Sequence, residues 1–330
     1  MSATRSQRAI TLGLLALITL VGAGLRLWQL GAQSLWLDEV FTARVAPESV
    51  AGILRAIRSD LDTPPLHPFV VHVFIRLFGG SDFVLRLPSA IASILSVPLT
   101  FALARRVVGH RSALLAAFVM ACSPFAVYYA QEARMYGLML MTTLLTLYAL
   151  ARALECRRTA YPATWAGRAR QALPWIGFGV AAAAGLYTHF FGFFVLGLAA
   201  LYAVAAALGD WRSGRRDMAL RTARLLLLAL VVVVALYMPW LPVLRHFVGE
   251  NYAANPYGQS WKANLGLPTM VKMAALMLGG YWAHPAAYAG MAILCAAGWL
   301  RLARRQPLTA GFAALMVAAP FGVIAALNPG

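Results

Sequence analysis

Residues 66–106 read LHPFVVHVFIRLFGGSDFVLRLPSAIASILSVPLTFALARR, and the two halves of this stretch decide the topology of the chain. The second half, Val84–Leu103, is apolar over about the 20 residues that a helix needs to cross the hydrocarbon of a bilayer. The first half, Leu66–Phe78, is shorter and carries His67, His72 and Arg76. Arginine-rich connections follow at Arg105–Arg111, Arg152–Arg170, Arg212–Arg224 and Arg301–Arg305, and the N-terminus MSATRSQR is basic. The positive-inside rule places all five segments in the cytoplasm. An odd number of crossings must then lie between the exit of the first span and Arg105. Leu66–Phe78 is therefore read as a helix in the outer interface, and Val84–Leu103 as the second span.

Working outward, apolar runs occupy Ala9–Leu30, Ser112–Tyr129, Leu138–Leu154, Leu173–Tyr187, Phe190–Leu208, Leu225–Leu244, Leu267–Trp282, Pro285–Leu302 and Leu308–Leu327. The first is too long for a signal-peptide core and is followed by more apolar runs, so it is read as a retained span. The same parity keeps Leu267–Trp282 on the outer side. The expectation is an all-α polytopic membrane protein of about nine spans. It forms one module over residues 1–330, with a first outer loop at 31–83 and another at 245–284. Composition agrees: of 330 residues 61% are hydrophobic and 12% charged, and mean hydropathy is +0.71. Soluble domains carry about twice that charge. Cys122, Cys156 and Cys295 show neither metal spacing nor a disulfide framework.

The net charge of +17 comes from 28 basic and 11 acidic residues. On this topology the cytoplasmic side holds 18 basic and 3 acidic residues, whereas the outer side, Arg26 included, holds 10 and 8. A nucleic-acid partner is set aside because the positive charge is spread through loops of a membrane chain. Most carboxylates lie on the outer face, where topology needs none, so chemistry is sought there.

The first outer loop opens with Ser34-Leu35-Trp36-Leu37-Asp38-Glu39. A carboxylate near a low-dielectric interface gains proton affinity and can serve as a general base; a solvated loop start is the competing reading. Val50, Ile53, Leu54 and Ile57 form an i, i+3, i+4, i+7 stripe, which suits a helix lying on the membrane or one packed on protein. Paired prolines in Asp62-Thr63-Pro64-Pro65-Leu66-His67 set an extended entry to the next helix. His67 there is an interfacial side chain or a proton-sharing or phosphate-binding group. Arg86, near the start of the second span, either pairs with Asp82 at i, i+4 or binds an anionic lipid phosphate through its planar fork. Gln131-Glu132-Ala133-Arg134-Met135-Tyr136 is a short, densely polar loop between two spans, costly there unless its groups have partners. His189 sits at another outer turn.

In this order SLWLDEVFTA, DTPPLHPF, FGGSDFVLRLPSA, SPFAVYYAQEARMYG and a weaker YTHFFG resemble the GT-C glycosyltransferases that use polyprenyl-phosphate sugars, over roughly residues 30–190. The nearest resemblance is to the protein O-mannosyltransferase and aminoarabinose transferase family. It implies a GT-C helical bundle, catalytic roles for Asp38 and Glu39, and phosphate handling by Arg86 and Arg134. Supporting roles follow for His67, Gln131, Glu132, Tyr136 and His189. It further implies a polyprenyl-phosphate-linked sugar donor, a lipid, glycan or protein acceptor, and a site on the outer face of a bacterial inner membrane. Relatives continue with further spans and often an extra-membrane domain, so the C-terminal part of the family is expected to be missing. A divalent cation, Mg2+ or Mn2+, is compatible with a carboxylate beside a phosphate, although no dedicated ligand cluster demands one. The alternative is a transporter or flippase of lipid-linked substrates. Its site would lie near the midplane at broken helices of repeated halves, and neither a mid-span carboxylate nor a repeat is visible.

Overall fold

The structure, a computed structural model, describes residues 5–60, 63–157, 159, 164–246 and 285–327. Every regular element among them is helical: α1 Arg5–Leu27, α2 Leu37–Val45, α3 Val50–Asp60, α4 Leu66–Phe78, α5 Asp82–Val108, α6 His110–Cys122, α7 Pro124–Ala130, α8 Tyr136–Cys156, α9 Trp165–Thr188, α10 Phe191–Arg212 and α11 Arg216–Tyr237. A 3-10 turn, Met238–Trp240, joins α11 to α12 Leu241–His246; beyond residue 284 come α13 Pro285–Arg305 and α14 Pro307–Leu327. Among the described residues five helical runs are long and apolar enough to cross a membrane: Ser6–Leu27, Asp82–Val108, Tyr136–Cys156, Phe191–Arg212 and Arg216–Arg245. A sixth is counted if α6 and α7, bent by 52°, form one span. Helices α9, α13 and α14 coincide with the other expected spans, so the count of nine stays an expectation. Leu267–Trp282 and nearly all of the outer loop at 245–284 lie outside the described residues.

Sequence explains the bend. Ser123 caps α7 by accepting the Ala126 N–H at 3.3 Å, and Pro124 at the first helical position cannot continue the ladder of α6. The run Ser112–Tyr129 is thus two helices.

Small residues let the long helices approach. Ala113, Ala117 and Ala121 form a fully buried stripe on α6, packed with Val97 and Phe101 of α5 and Leu15 and Ile18 of α1. Gly137 at the start of α8 lies against the Ser89 backbone of α5, where any Cβ would collide. Such close backbone approach is how helices associate without a hydrophobic drive from water. In contrast, Leu12, Leu17 and Leu20 of α1 are 64%, 58% and 68% exposed. An apolar face of that kind suits lipid.

The first loop is layered on one end of this bundle. In α3, Ile53 and Ile57 are buried against Ala182 and Leu186 of α9, Val233 and Tyr237 of α11, and Trp240. The stripe is therefore packed on protein, and the reading of α3 as lying on the membrane is replaced. At 13 residues, α4 reaches about 20 Å and is too short to span. It buries His67, Pro68 and Val71 while Val73, Leu77 and Phe78 stay exposed. Pro65, its N-cap, is in the αR region (φ −76°, ψ −18°), so the second proline already turns into the helix and only the expectation of an extended entry fails there.

Candidate active site

Asp38 and Glu39 are adjacent in α2 and have opposite surroundings. Successive helical side chains point about 100° apart, so one enters the protein and the other does not. Glu39 is 1% exposed. Its Oε1 accepts Arg86 Nε at 2.8 Å and the Ala133 N–H at 2.7 Å. Its Oε2 accepts Arg86 Nη2 at 2.7 Å and the Trp36 N–H at 3.3 Å. The last bond is the backward half of a capping box and fixes the start of α2. Burial would raise the Glu39 pKa, but the hydrogen bonds and charge of Arg86, with those two N–H groups, hold it below the usual carboxylate range. All four lone-pair sites of the carboxylate are taken. No Glu39 oxygen is left free for a substrate.

Arg86 is buried as well. Besides Glu39 it donates to the carbonyls of Leu30 at 3.1 Å, Gln33 at 2.9 Å and Ser34 at 3.4 Å. Its five N–H groups are thereby all directed at protein acceptors, and its ion-pair partner is Glu39, 47 residues away, in place of Asp82. In this arrangement Arg86 has no donor left for a phosphate. It ties the loop after α1 and the start of α2 to α5.

Arg134 stands differently. It is 7% exposed, its Nη1 donates to the Asp38 carbonyl at 3.3 Å, and its Nη2 lies 3.9 Å from Asp38 Oδ2. Its Nε is buried with no hydrogen-bond partner. Ser89 of α5 donates to the Arg134 carbonyl and so fixes the loop. The Asp38 side chain is 39% exposed, the open carboxylate of the pair.

Around Arg134 sit further buried groups. Glu132, 7% exposed, has an unpartnered Oε2. Burial pushes its pKa up to about 7; Tyr128 and Arg134 oppose that, and the charges of Glu39 and Asp38 add to it. His67, 1% exposed, has an unpartnered Nε2. Burial and the Arg134 charge push it down to about 3, so it is a neutral imidazole. The same two causes lower His189, whose Nδ1 accepts the Phe191 N–H at 3.0 Å. The Tyr136 hydroxyl is within hydrogen-bonding reach of Arg134. Gln131 is turned away: its Nε2 donates to the carbonyls of Leu25, Arg26 and Trp28, the nearest at 2.8 Å, and closes the end of α1.

Sequence reading missed Thr63, whose buried Oγ1 is unpartnered, Tyr128 beside Glu132, and Ser89. All three lie in stretches that carry the resemblance: Thr63 in DTPPLHPF, Tyr128 in SPFAVYYAQEARMYG and Ser89 in FGGSDFVLRLPSA. Arg26, counted among the outer charges, is fully buried, donating to Ser93 Oγ at 2.8 Å and to the Met120 and Ala121 carbonyls at the end of α6. It belongs to the packing of α1, α5 and α6. Among the described residues no three His, Cys, Asp or Glu side chains gather as a metal site requires. Both oxygens of Glu39 are taken by Arg86 and backbone N–H groups and are not free for a cation.

Residues 62–242, over half of the chain, match the family described as dolichyl-phosphate-mannose-protein mannosyltransferase. The chain belongs to that family. This mannosyltransferase-family chain is 32% identical over 95 residues to the provisionally named mannosyltransferase YkcB of Bacillus subtilis (strain 168), covering 29% of this chain and 13% of that protein. Its fold is similar to an Archaeoglobus fulgidus oligosaccharyltransferase crystallised with Zn and sulfate, at 17% identity and a TM-score of 0.55, covering 92% of this chain and 46% of that one. It is also similar to the AglB oligosaccharyltransferase of Archaeoglobus fulgidus in complex with an inhibitory peptide and a dolichol-phosphate, at 14% identity and a TM-score of 0.50, covering 89% and 39%. The fold is thus that of the GT-C glycosyltransferases, in a multi-pass membrane protein. The chain spans less than half the length of these proteins.

Proposed function

We propose that this chain transfers a sugar from a polyprenyl-phosphate donor to an acceptor hydroxyl, with inversion, at the end of the bundle that carries Asp38. The observation that carries the proposal is the half-open Asp38 carboxylate beside a buried Arg134 with an unpartnered Nε. The family described for residues 62–242 names a dolichyl-phosphate sugar, which supports the donor class. The acceptor oxygen attacks the anomeric carbon while its proton passes to Asp38. The bond from that carbon to the phosphate oxygen breaks, and the polyprenyl phosphate leaves with the electron pair. Arg134 faces the charge that grows on the departing phosphate, the role in which a fixed, poorly solvated cation is most effective. Glu39 and Arg86 hold the loop in place and touch neither substrate. Neutral His67, with Thr63 and Glu132, offers hydrogen bonds to the donor's sugar hydroxyls or phosphate. The concentration of basic residues in the connections at the opposite end supports placing the site on the outer face of a bacterial inner membrane.

The experiment is transfer from a radiolabelled polyprenyl-phosphate mannose by the purified chain, with the product anomer assigned by NMR. Inverted product from the parent, and loss of donor use in Arg134→Ala with partial recovery in Arg134→Lys, are expected. Retained configuration would contradict the single-displacement reading, and an unaffected Arg134→Ala would remove Arg134 from the phosphate.

A further inference from the structure

At the end of the bundle away from Asp38, helices α5 and α8 stand on one side and α10 and α14 on the other. Tyr202 of α10 stacks on Phe312 of α14 at 4.7 Å and shares a 3.0 Å hydrogen bond with Thr309. Gln306, between α13 and α14, donates to the Val107 carbonyl near the end of α5 at 3.0 Å. Tyr202 thus ties α10 to α14 and Gln306 ties the α13–α14 junction to α5, and a cavity of about 1000 Å3 lies among these helices. Its walls are apolar, with Leu103, Leu147, Leu154, Ala205 and Met316 among them.

Charge is arranged at the rim in two clusters. Glu155 is approached by Arg106 at 3.3 Å and Arg152 at 3.8 Å. Asp210 is approached by Arg157 at 2.9 Å and Arg215 at 2.8 Å. Each carboxylate serves two guanidiniums, so each cluster keeps one positive charge in excess. Arg106, Glu155, Arg157, Asp210 and Arg215 all line the cavity. Arginines that only set topology need to sit in solvent; these border an apolar volume, and Arg106 and Arg157 have side chains 11% and 4% exposed.

We propose that this cavity binds an anionic phospholipid of the surrounding leaflet, with acyl chain between α8 and α14 and phosphate at the rim between the two arginine clusters. The apolar walls match the chain. The excess guanidinium charge matches a phosphate that carries a net negative charge, and guanidinium engages phosphate oxygens bidentately. A zwitterionic headgroup brings its own ammonium and gains less from that rim. The site is independent of the sugar-transfer reading, and its test involves no transfer.

The test is lipid retention by the purified full chain, measured by native mass spectrometry from micelles holding equal phosphatidylglycerol and phosphatidylcholine. At least ten-fold preference for phosphatidylglycerol is expected in the parent, falling as salt is raised. Ala205→Trp, which fills the cavity, should abolish that retention. Arg106→Gln with Arg215→Gln should bring the two lipids near parity. Ala313→Phe fills the cavity from α14 and serves if the tryptophan variant does not fold, as judged by its melting curve. Equal retention of both lipids by the parent would overturn the proposal. So would unchanged phosphatidylglycerol retention in a folded cavity-filled variant.

Discussion

The two ends of the bundle both bury a carboxylate against arginine, but in different proportion. At the Asp38 end one carboxylate, Glu39, and one guanidinium, Arg86, are saturated by each other and by backbone groups. What remains there is a set of unsatisfied buried atoms: Arg134 Nε, His67 Nε2, Glu132 Oε2 and Thr63 Oγ1. At the other end Arg106 Nε and Asp210 Oδ2 are also buried without a hydrogen-bond partner, but each carboxylate is shared between two arginines and positive charge is left over. Buried polar atoms are ordinarily paired. The Asp38 end combines unpaired ones with an open carboxylate and suits a polar, directional ligand, whereas surplus charge beside apolar walls suits an anionic amphiphile.

The largest expected effect comes from breaking the saturated pair. Arg86→Ala leaves Glu39 charged, buried and unpaired, a loss of about 3–5 kcal/mol, read as a large fall in melting temperature in detergent. Melting within a degree of the parent would mean that the pair is dispensable to the fold and would return Arg86 to the candidates for the donor phosphate.

The unsatisfied groups make their own contribution, visible through pH. Glu132 is raised from 4.5 to about 7, so its contribution to stability is full in acid and is lost as pH rises from 4.5 through 7. Its ionised form is disfavoured on the order of 3 kcal/mol. Glu132→Gln should therefore gain on the parent between pH 5 and pH 8. His67 is lowered from 6.5 to about 3, so its contribution is present above pH 6.5 and is lost as pH falls. His67→Asn should flatten that acid limb, by about 1.4 kcal/mol at one unit below 6.5. Parent and variant curves that stay parallel would show that neither group is buried as described.

The smallest effect belongs to the rim of the opposite end. Glu155 is 48% exposed, so Glu155→Gln should change stability by about 1 kcal/mol or less. Asp210→Asn, which strands the buried Arg157, should lose clearly more. Equal losses in the two variants would erase the distinction between an exposed and a buried shared carboxylate.

Much of this was legible in the sequence. Long apolar runs and arginine connections gave the helices, the stripe at Val50–Ile57 gave α3, and the polar loop after α7 gave Glu132 and Arg134. Partners across the fold were not legible. Asp82 stands at the helical spacing from Arg86, yet Glu39 wins because burial rewards the pair that can also gather five backbone groups. Which of Asp38 and Glu39 points inward depends on where α5 packs, and two adjacent carboxylates carry no local sign of it. Gln131 looked like a site residue because it is polar beside two spans. The end of α1 needs a donor for its last carbonyls, and Gln131 supplies it.

The central claim is that Asp38, and not its buried neighbour, takes the acceptor proton. The most direct test is Asp38→Asn, with donor binding and turnover measured separately. The amide is close in size but cannot accept the proton, and positioned proton transfer is worth roughly 10²–10⁴-fold. The account predicts turnover falling by that factor, with donor affinity and melting temperature near those of the parent. Turnover within a few-fold of the parent would contradict it and pass the base to Glu132.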